Sequence, residues 1–260
     1  GEGDAEEVAR GLQSMVLSLY DSFLTPDGSR VDFSRMRGSR ALAAYVRASG
    51  ALREGVSLSA LASLPEAGRK ALFINIYNAL TLHASLALGE RGPASPEHRG
   101  AFFGGDSGAR YSIGGFAFSL DDMEHGVLRG SPQGDARSFE EGDPRLCLTV
   151  KLDPRIHFAL NCGAASCPPI KIYDAGNLEE GLTLAARSFC DAEVWVEGGA
   201  VTMSKILMWY GGDFGASEGE VLRRVSGFMS PGPKRDALLA LLEGGSWEVR
   251  YRDYDWSQNA

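Results

Sequence analysis

Apolar residues at helical spacing predict that helices make up much of the chain. From residue 5 to residue 24 they recur every three or four positions and stop at a Thr-Pro-Asp-Gly turn signal. A second helix is predicted from Phe33 to about Ser49, where Gly50 ends it. We therefore expect an N-terminal helical portion, residues 1–62, and a main domain, residues 63–260. No break in composition separates them, so one continuous domain is expected.

The third predicted helix is apolar on nearly every face, which is typical of a helix buried on all sides. It is expected to begin with a capping box of Ser63 and Glu66 and to end at Gly89. Asn75 and Asn78 interrupt its apolar sequence, and buried amides need hydrogen-bond partners. Two interpretations stay open: both amides tie the helix to neighbouring loops, or one of them orients a catalytic imidazole or a substrate.

Short strands and helices are predicted along the rest of the chain. Gly-Gly pairs at 114–115 and 198–199 predict two hairpins, and strands are predicted at 146–150, 156–162 and 247–254. Hairpins and helices with few βαβ units are typical of the α+β class. The expected fold is a single α+β domain with antiparallel β-hairpins around a long buried helix.

Composition narrows the classes of partner. The net charge is −8 and no Lys/Arg block is present, which argues against nucleic acid and anionic membranes. No run of about 20 apolar residues predicts a membrane span. The partner expected is a small-molecule or peptide substrate, without a cofactor or a metal. Because the chain begins with glycine, we expect a trimmed N-terminus; a removed targeting segment, the compartment and the oligomeric state stay open.

One segment concentrates the reactive residues of the chain, because it holds His157, Cys162 and Cys167. In an extended strand, Cys162 would lie on the apolar face, whereas His157 and Asn161 would face the other side. Cys167 follows in a turn, where converging N–H groups can lower the pKa of a thiol. The two cysteines therefore differ in their expected surroundings.

A catalytic interpretation makes Cys167 a nucleophile with His157 or His125 as its base. Glu124 is predicted to be partly buried on a short helix beside His125, and Glu124 or Asn78 would orient the base. The reaction expected is Cys-dependent hydrolysis or acyl or thiol transfer, in a fold like that of cysteine hydrolases or transglutaminases. The residues assigned to substrate binding are Asn78, Asn161, Arg155 and Tyr210; Cys162 completes the catalytic set.

Two alternatives stay open beside that interpretation. Cys162 and Cys167 could form a redox couple or a disulfide, although four residues separate them rather than the two of a C-x-x-C motif. Alternatively, both cysteines are structural, glycine and proline shape the turn, and the domain binds or scaffolds without catalysis.

Four blocks of this sequence resemble the uncharacterised domain-of-unknown-function family 547: residues 73–83, 120–129, 153–169 and 204–215. The family has no assigned activity. Some relatives resemble multidomain proteins with glutaredoxin-like or DEP segments, which implies thiol chemistry. The positions that the resemblance marks as parts of its motifs are Asn78, Glu124, His125, His157, Cys162 and Cys167.

Overall fold

The computed structural model describes residues 5–25, 31–104 and 108–257. The chain forms two compact units. The first comprises Gly1–Leu152, Leu160–Leu178 and Trp256–Ala260, and the second comprises Asp153–Ala159 and Glu179–Asp255. Residues on both sides of the boundary expected between 62 and 63 belong to the first unit, and that boundary stays a prediction.

The described part of the chain begins with seven α-helices, which all belong to the first unit: α1 Ala5–Ser22, α2 Phe33–Arg37, α3 Arg40–Ser49, α4 Ala51–Glu54, α5 Leu58–Ser63, α6 Glu66–Leu88 and α7 Pro96–Phe103. The second predicted helix is thus divided into α2 and α3. The division occurs because the Ser39 hydroxyl caps a new helix, accepting a hydrogen bond from the Leu42 N–H at 3.0 Å.

Helix α6 is the long buried helix that the sequence predicts, and Gly89 ends it with φ of 57°. Its expected capping box is wrong: Ser63 ends α5, and its hydroxyl donates to the Ala60 carbonyl at 2.7 Å. Pro65 explains the separation, because the residue before a proline is disfavoured in a helix.

Among the described residues, α6 alone is long and apolar enough to cross a membrane, and 83% of its most apolar window is buried, as in a core helix.

A hairpin follows α7, formed by β1 Arg110–Ile113 and β2 Phe116–Ser119, with Gly114 and Gly115 at the turn. Next comes a π-helix, Asp122–Leu128, in place of the α-helix expected there. The Ser119 hydroxyl precedes it and accepts a hydrogen bond from the Asp122 N–H at 3.0 Å. Within the first unit, α6 carries Tyr77 and Asn78, and the π-helix carries Glu124 and His125.

The strands predicted at 146–150 and 156–162 are wrong, because 3₁₀-helices occupy Pro144–Leu148 and Pro154–Phe158. Each begins with the tripeptide Asp-Pro-Arg. The carboxylates of Asp143 and Asp153 accept from the N–H two residues later, at 2.8 and 3.0 Å. A capping carboxylate followed by proline favours a helical start, and here it outweighs the apolar run that follows.

Helix α8, Leu178–Glu193, belongs to the second unit except for its first residue. The other helices described in this unit are α9 Lys205–Trp209, α10 Gly211–Phe214, α11 Glu218–Phe228 and α12 Pro233–Gly244. Its sheet contains β3 Trp195–Glu197, β4 Ala200–Ser204 and β5 Glu248–Arg252. Strands β3 and β4 form the second predicted hairpin, and β5 pairs with β4 in parallel. Its core includes Phe158, Phe189, Phe214 and Leu222. The α+β class, the hairpins and the long buried helix are confirmed; a transglutaminase-like fold is not shown.

Candidate functional site

Cys162 and Cys167 meet in the first unit. Their sulfurs lie 2.7 Å apart, and the Cys162 N–H donates a hydrogen bond to the Cys167 Sγ at 3.1 Å. Both residues are half-buried. An N–H donor favours the charged form of its acceptor, so this contact favours a thiolate at Cys167. The strand in which Cys162 was expected to lie on the apolar face is absent, and Cys162 is half-buried in the structure.

The segment 161–168, here called the cysteine loop, is closed by the side chain of Asn161. Its Oδ1 accepts from the Gly163 N–H and its Nδ2 donates to the Pro168 carbonyl, both at 2.8 Å. The Asn161 N–H donates to Asn78 Oδ1 on α6, also at 2.8 Å. Both amides therefore position the cysteine loop, which confirms that Asn78 ties α6 to a neighbouring loop; their contact with a substrate stays a prediction.

The cysteine loop packs closely on α6. Gly163 has φ of 85°, and a Cβ there would lie 3.2 Å from Ser85 Oγ and 3.4 Å from Thr81 Cγ2. On α1, burial, and secondarily the nearby Cys167, hold the pKa of the Tyr20 phenol above its usual range. The loop thus packs against α6, and the charge of Cys167 acts on the phenol of Tyr20 on α1.

The other two cysteines differ from this pair. Cys190 is buried in the core, and burial, together with Asp191, raises the pKa of its thiol to about 12. Cys147 is exposed. The 3₁₀-helix that replaces the predicted strand turns the Cys147 side chain outward, while Leu148 is buried.

A second group of reactive side chains, here called the buried charge cluster, lies around the π-helix and consists of Tyr77, Glu124, His125, Arg129 and Asp135. The Tyr77 hydroxyl donates to Glu124 Oε2 at 3.1 Å, and Glu124 Oε1 lies 3.9 Å from His125 Nε2. Arg129 Nη1 lies 2.9 Å from Asp135 Oδ2. Glu124, which the sequence predicts to be partly buried, is buried in the structure, and so is His125 beside it.

The proton of His125 can be assigned from its neighbours. Arg129 Nη1 lies 2.7 Å from His125 Nδ1, and a guanidinium can only donate, so Nδ1 accepts. The ring is therefore neutral with its proton on Nε2, and burial lowers its pKa. Burial alone would raise the pKa of Asp135, but hydrogen bonds from Arg137 outweigh it and hold that pKa well below its usual range.

His157 belongs to the second unit, where its Nε2 lies 2.8 Å from Asp213 Oδ2. Its ring stacks on Tyr210 with centroids 3.9 Å apart, and both His157 and the Asp213 carboxylate are buried. Asp213 is absent from the predicted site residues, although it lies in the Trp-Tyr-Gly-Gly-Asp block of the sequence. Sequence spacing did not indicate it, because more than fifty residues separate it from His157.

Arg155 is held by acidic neighbours of the second unit. Its guanidinium donates to Asp153 and Glu179 at 2.7 Å, and to Thr183 Oγ1 at 2.8 Å. This arrangement ties a 3₁₀-helix to α8. Substrate binding by Arg155 or Tyr210 stays a prediction, as does a pairing of Cys167 with an imidazole. Among the described residues, no group of three or more His, Cys, Asp or Glu side chains is arranged to hold a metal ion.

Comparison with known proteins adds one match. The model of the family described as "Protein of unknown function, DUF547" matches residues 61–190, which is half of the 260 residues. The match includes α6, the π-helix and the cysteine loop, and it ends before Tyr210 and Asp213. No curated protein and no solved structure matches the chain.

Proposed function

Because the chain belongs to the DUF547 family, whose function is unknown, we propose a function from the geometry of its own residues: a thiol-redox protein that uses Cys162 and Cys167 as a dithiol–disulfide couple. The observation that carries this proposal is the contact of two half-buried sulfurs 2.7 Å apart. A covalent S–S bond measures roughly 2 Å, so the bond would form with a sulfur movement of less than about 1 Å.

The reaction supported is thiol–disulfide exchange with a peptide or small-molecule disulfide. The Cys167 thiolate attacks one sulfur of that disulfide, forming a mixed disulfide and releasing the other sulfur as a thiolate. The Cys162 thiolate then attacks the Cys167 sulfur, which closes the intramolecular disulfide and releases the second thiolate. Two electrons pass from the cysteines to the substrate, and the two cysteine protons end on the two released thiols.

The hydrogen bond within the cysteine loop distinguishes the two sulfurs. Cys167 Sγ receives the Cys162 N–H, which stabilises negative charge on Cys167. The attacking thiol is the one with the larger thiolate fraction, so Cys167 is the nucleophile and Cys162 the resolving cysteine. Asn161 and Asn78 are positioning residues, since they hold the loop that brings the sulfurs together.

The test is reaction of the reduced protein with glutathione disulfide, followed by mass spectrometry. The wild type should form the intramolecular disulfide, about 2 Da lighter than the dithiol form. Cys162→Ser should accumulate a mixed disulfide on Cys167, whereas Cys167→Ser should react much more slowly. Cys147→Ser, which removes an exposed thiol elsewhere in the first unit, is the matched control and should behave as the wild type. A wild type that stays a dithiol, or that collects its adduct on Cys162, would contradict the proposal.

A Cys-dependent hydrolase or acyl transferase is the second candidate, and the observation that favours it is the buried His157–Asp213 contact. A carboxylate on one ring nitrogen is how a catalytic imidazole is oriented in Ser- and Cys-dependent acyl transfer. Asp213→Asn distinguishes the candidates. Release of p-nitrophenol from p-nitrophenyl acetate should fall in this variant if acyl transfer is the function, while exchange with glutathione disulfide should be unchanged if the redox proposal is correct.

A further inference from the structure

A short segment of the chain, Trp256 and Ser257, contacts the cysteine loop and helix α7. The Ala165 N–H, which lies between the two cysteines, donates a hydrogen bond to the Ser257 carbonyl at 2.8 Å. Next to Ser257, the Trp256 ring packs on Arg99 of α7, whose guanidinium carbon lies 3.8 Å from the ring centroid. All four residues belong to the first unit. We call residues 256–257 the strap.

We propose that the Ala165 N–H and the Arg99 guanidinium form a binding site for an extended peptide segment with an aromatic side chain. The strap occupies this site as an autoinhibitory contact, and an incoming peptide displaces it. That the incoming peptide presents a disulfide to Cys167 rests on the proposed thiol-redox function, whereas the binding of the peptide does not.

The main-chain donor of this site lies beside the reactive sulfurs. Ala165 is exposed in the turn between the cysteines, which a hydrogen bond from the Cys167 N–H to the Ala164 carbonyl closes at 3.0 Å. Extended peptides gain affinity from hydrogen bonds to their main chain, as the Ser257 carbonyl does here. Two residues of chain span at most about 7 Å, so a peptide bonded to Ala165 passes close to Cys167.

The aromatic part of the site is held against the cysteine loop by Arg99. Arg99 Nε donates to the Pro93 carbonyl at 2.9 Å, and a Cβ at Gly163 would lie 3.7 Å from Pro93 Cγ. Phe103 adds an edge contact to Trp256, with ring centroids 6.5 Å apart. A guanidinium attracts the face of an aromatic ring, so the site favours an aromatic side chain over an aliphatic one.

The position of the strap at the surface suits an exchange with a second peptide. Ser257 is exposed and Trp256 is only half-buried. A cation–π contact of this kind changes an equilibrium constant by about 2- to 30-fold, which a competing aromatic peptide can supply in turn. A site that its own strap occupies binds a peptide with an apparent affinity reduced by the fraction of molecules in which the strap is open.

The test is a titration of the ¹⁵N-labelled full chain with acetyl-Asp-Trp-Ser-amide, which has the sequence of residues 255–257 and no cysteine. Trp256→Ala loosens the strap, and this variant should show saturable shifts of the Ala165 amide with Kd of about 1 mM or lower. The wild type should bind the same peptide about 3- to 30-fold more weakly, because its own strap competes. Acetyl-Asp-Ala-Ser-amide should bind neither protein.

Further variants isolate the aromatic contact. Arg99→Gln in the Trp256→Ala background should abolish binding, whereas Arg99→Lys, which keeps the cation, should retain most of it. Trp195→Ala is the matched control and should bind as the wild type, because it removes an exposed tryptophan that packs on Arg252 in the second unit. Trp256→Leu, which keeps an apolar side chain without an aromatic face, gives the same comparison if Trp256→Ala does not fold. No saturable shift up to about 10 mM in the folded variant, or equal affinities in that variant and the wild type, would overturn the proposal.

Exchange rates separate this proposal from the redox function. Trp256→Ala should react about 3- to 30-fold faster than the wild type with the symmetric disulfide of acetyl-Cys-Asp-Trp-Ser-amide. Its rate with 2-hydroxyethyl disulfide, which has no peptide group, should change less than about twofold. Peptide binding without exchange would overturn the redox function and leave the peptide site standing. Exchange with glutathione disulfide in a protein that binds no peptide would overturn the site alone.

Discussion

The surroundings of single residues set the pKa values of buried ionisable groups in this protein. Asp121 is the clearest case, because burial raises the pKa of its carboxyl to about 6; Glu124, Asp122 and Asp135 add to the rise, while Arg137 opposes it. The folded state therefore favours the protonated form of Asp121 more than the unfolded chain does. The destabilisation that follows is the local cost of placing a carboxylate beside the buried charge cluster.

Asp121→Asn should consequently stabilise the folded protein above pH 6. The unfolded chain ionises Asp121 at its ordinary pKa of 3.8, so the wild-type carboxyl opposes folding increasingly as the pH rises from 3.8 through 6. The gain in the variant should reach up to about 3 kcal/mol at pH 8, from two pKa units of 1.36 kcal/mol each. It should shrink as the pH falls and vanish near pH 4. Urea unfolding of both proteins across that range measures it, and a gain independent of pH would show that Asp121 does not titrate in this way.

Individual residues also show what the sequence could predict at the site. The burial of Glu124 and the bond from Asn78 on α6 to a neighbouring loop were predictable from apolar periodicity and from the need of buried polar groups for partners. The partnership of His157 with Asp213 was not, because it depends on tertiary packing of α10 against a 3₁₀-helix. No spacing rule connects two positions so far apart in the chain.

At the scale of elements, local capping outweighs periodicity wherever the two disagree. The long helix α6 and both Gly-Gly hairpins agree with their patterns, because each pattern is repeated over the whole element. The two predicted strands fail because Asp-Pro-Arg starts a 3₁₀-helix in each. The π-helix could not be predicted for another reason. Its six consecutive buried residues, Met123 to Leu128, show no periodicity that would distinguish a π-helix from an α-helix.

Gly126 allows the π-helix to pack against the loop that follows. A Cβ at this position would lie 2.5 Å from Phe139 Cζ, so Gly126→Ala must displace the ring or the helix. We expect a loss of about 1–3 kcal/mol in the free energy of unfolding. Gly100→Ala on the exposed side of α7 is the matched control, because its Cβ would meet no atom within 4 Å. The control should be neutral or gain about 0.5–1 kcal/mol. Denaturant unfolding compares them, and equal effects would refute the packing argument.

At the scale of the whole molecule, the chemistry is divided between two units, each with helices of its own. The first unit holds the cysteine loop and the buried charge cluster, whereas the second holds His157, Tyr210 and Asp213. The family match ends within α8, so it includes all of the first unit's reactive groups named here but only His157 of that second group. The dithiol–disulfide reading needs only groups of the first unit, because both sulfurs lie in it.

That reading makes a prediction about the stability of the first unit. Oxidation of Cys162 and Cys167 closes a loop of six residues, and the lost entropy of the unfolded chain is worth up to about 2 kcal/mol. Because the sulfurs already lie 2.7 Å apart in the folded state, little of that gain should be consumed by distortion. The oxidised protein should therefore unfold at a higher urea concentration than the reduced protein, by tryptophan fluorescence with and without dithiothreitol. Cys162→Ser should abolish the difference. An oxidised protein that unfolds before the reduced one would mean that the folded loop resists the bond, and the dithiol–disulfide couple would then lose its structural support.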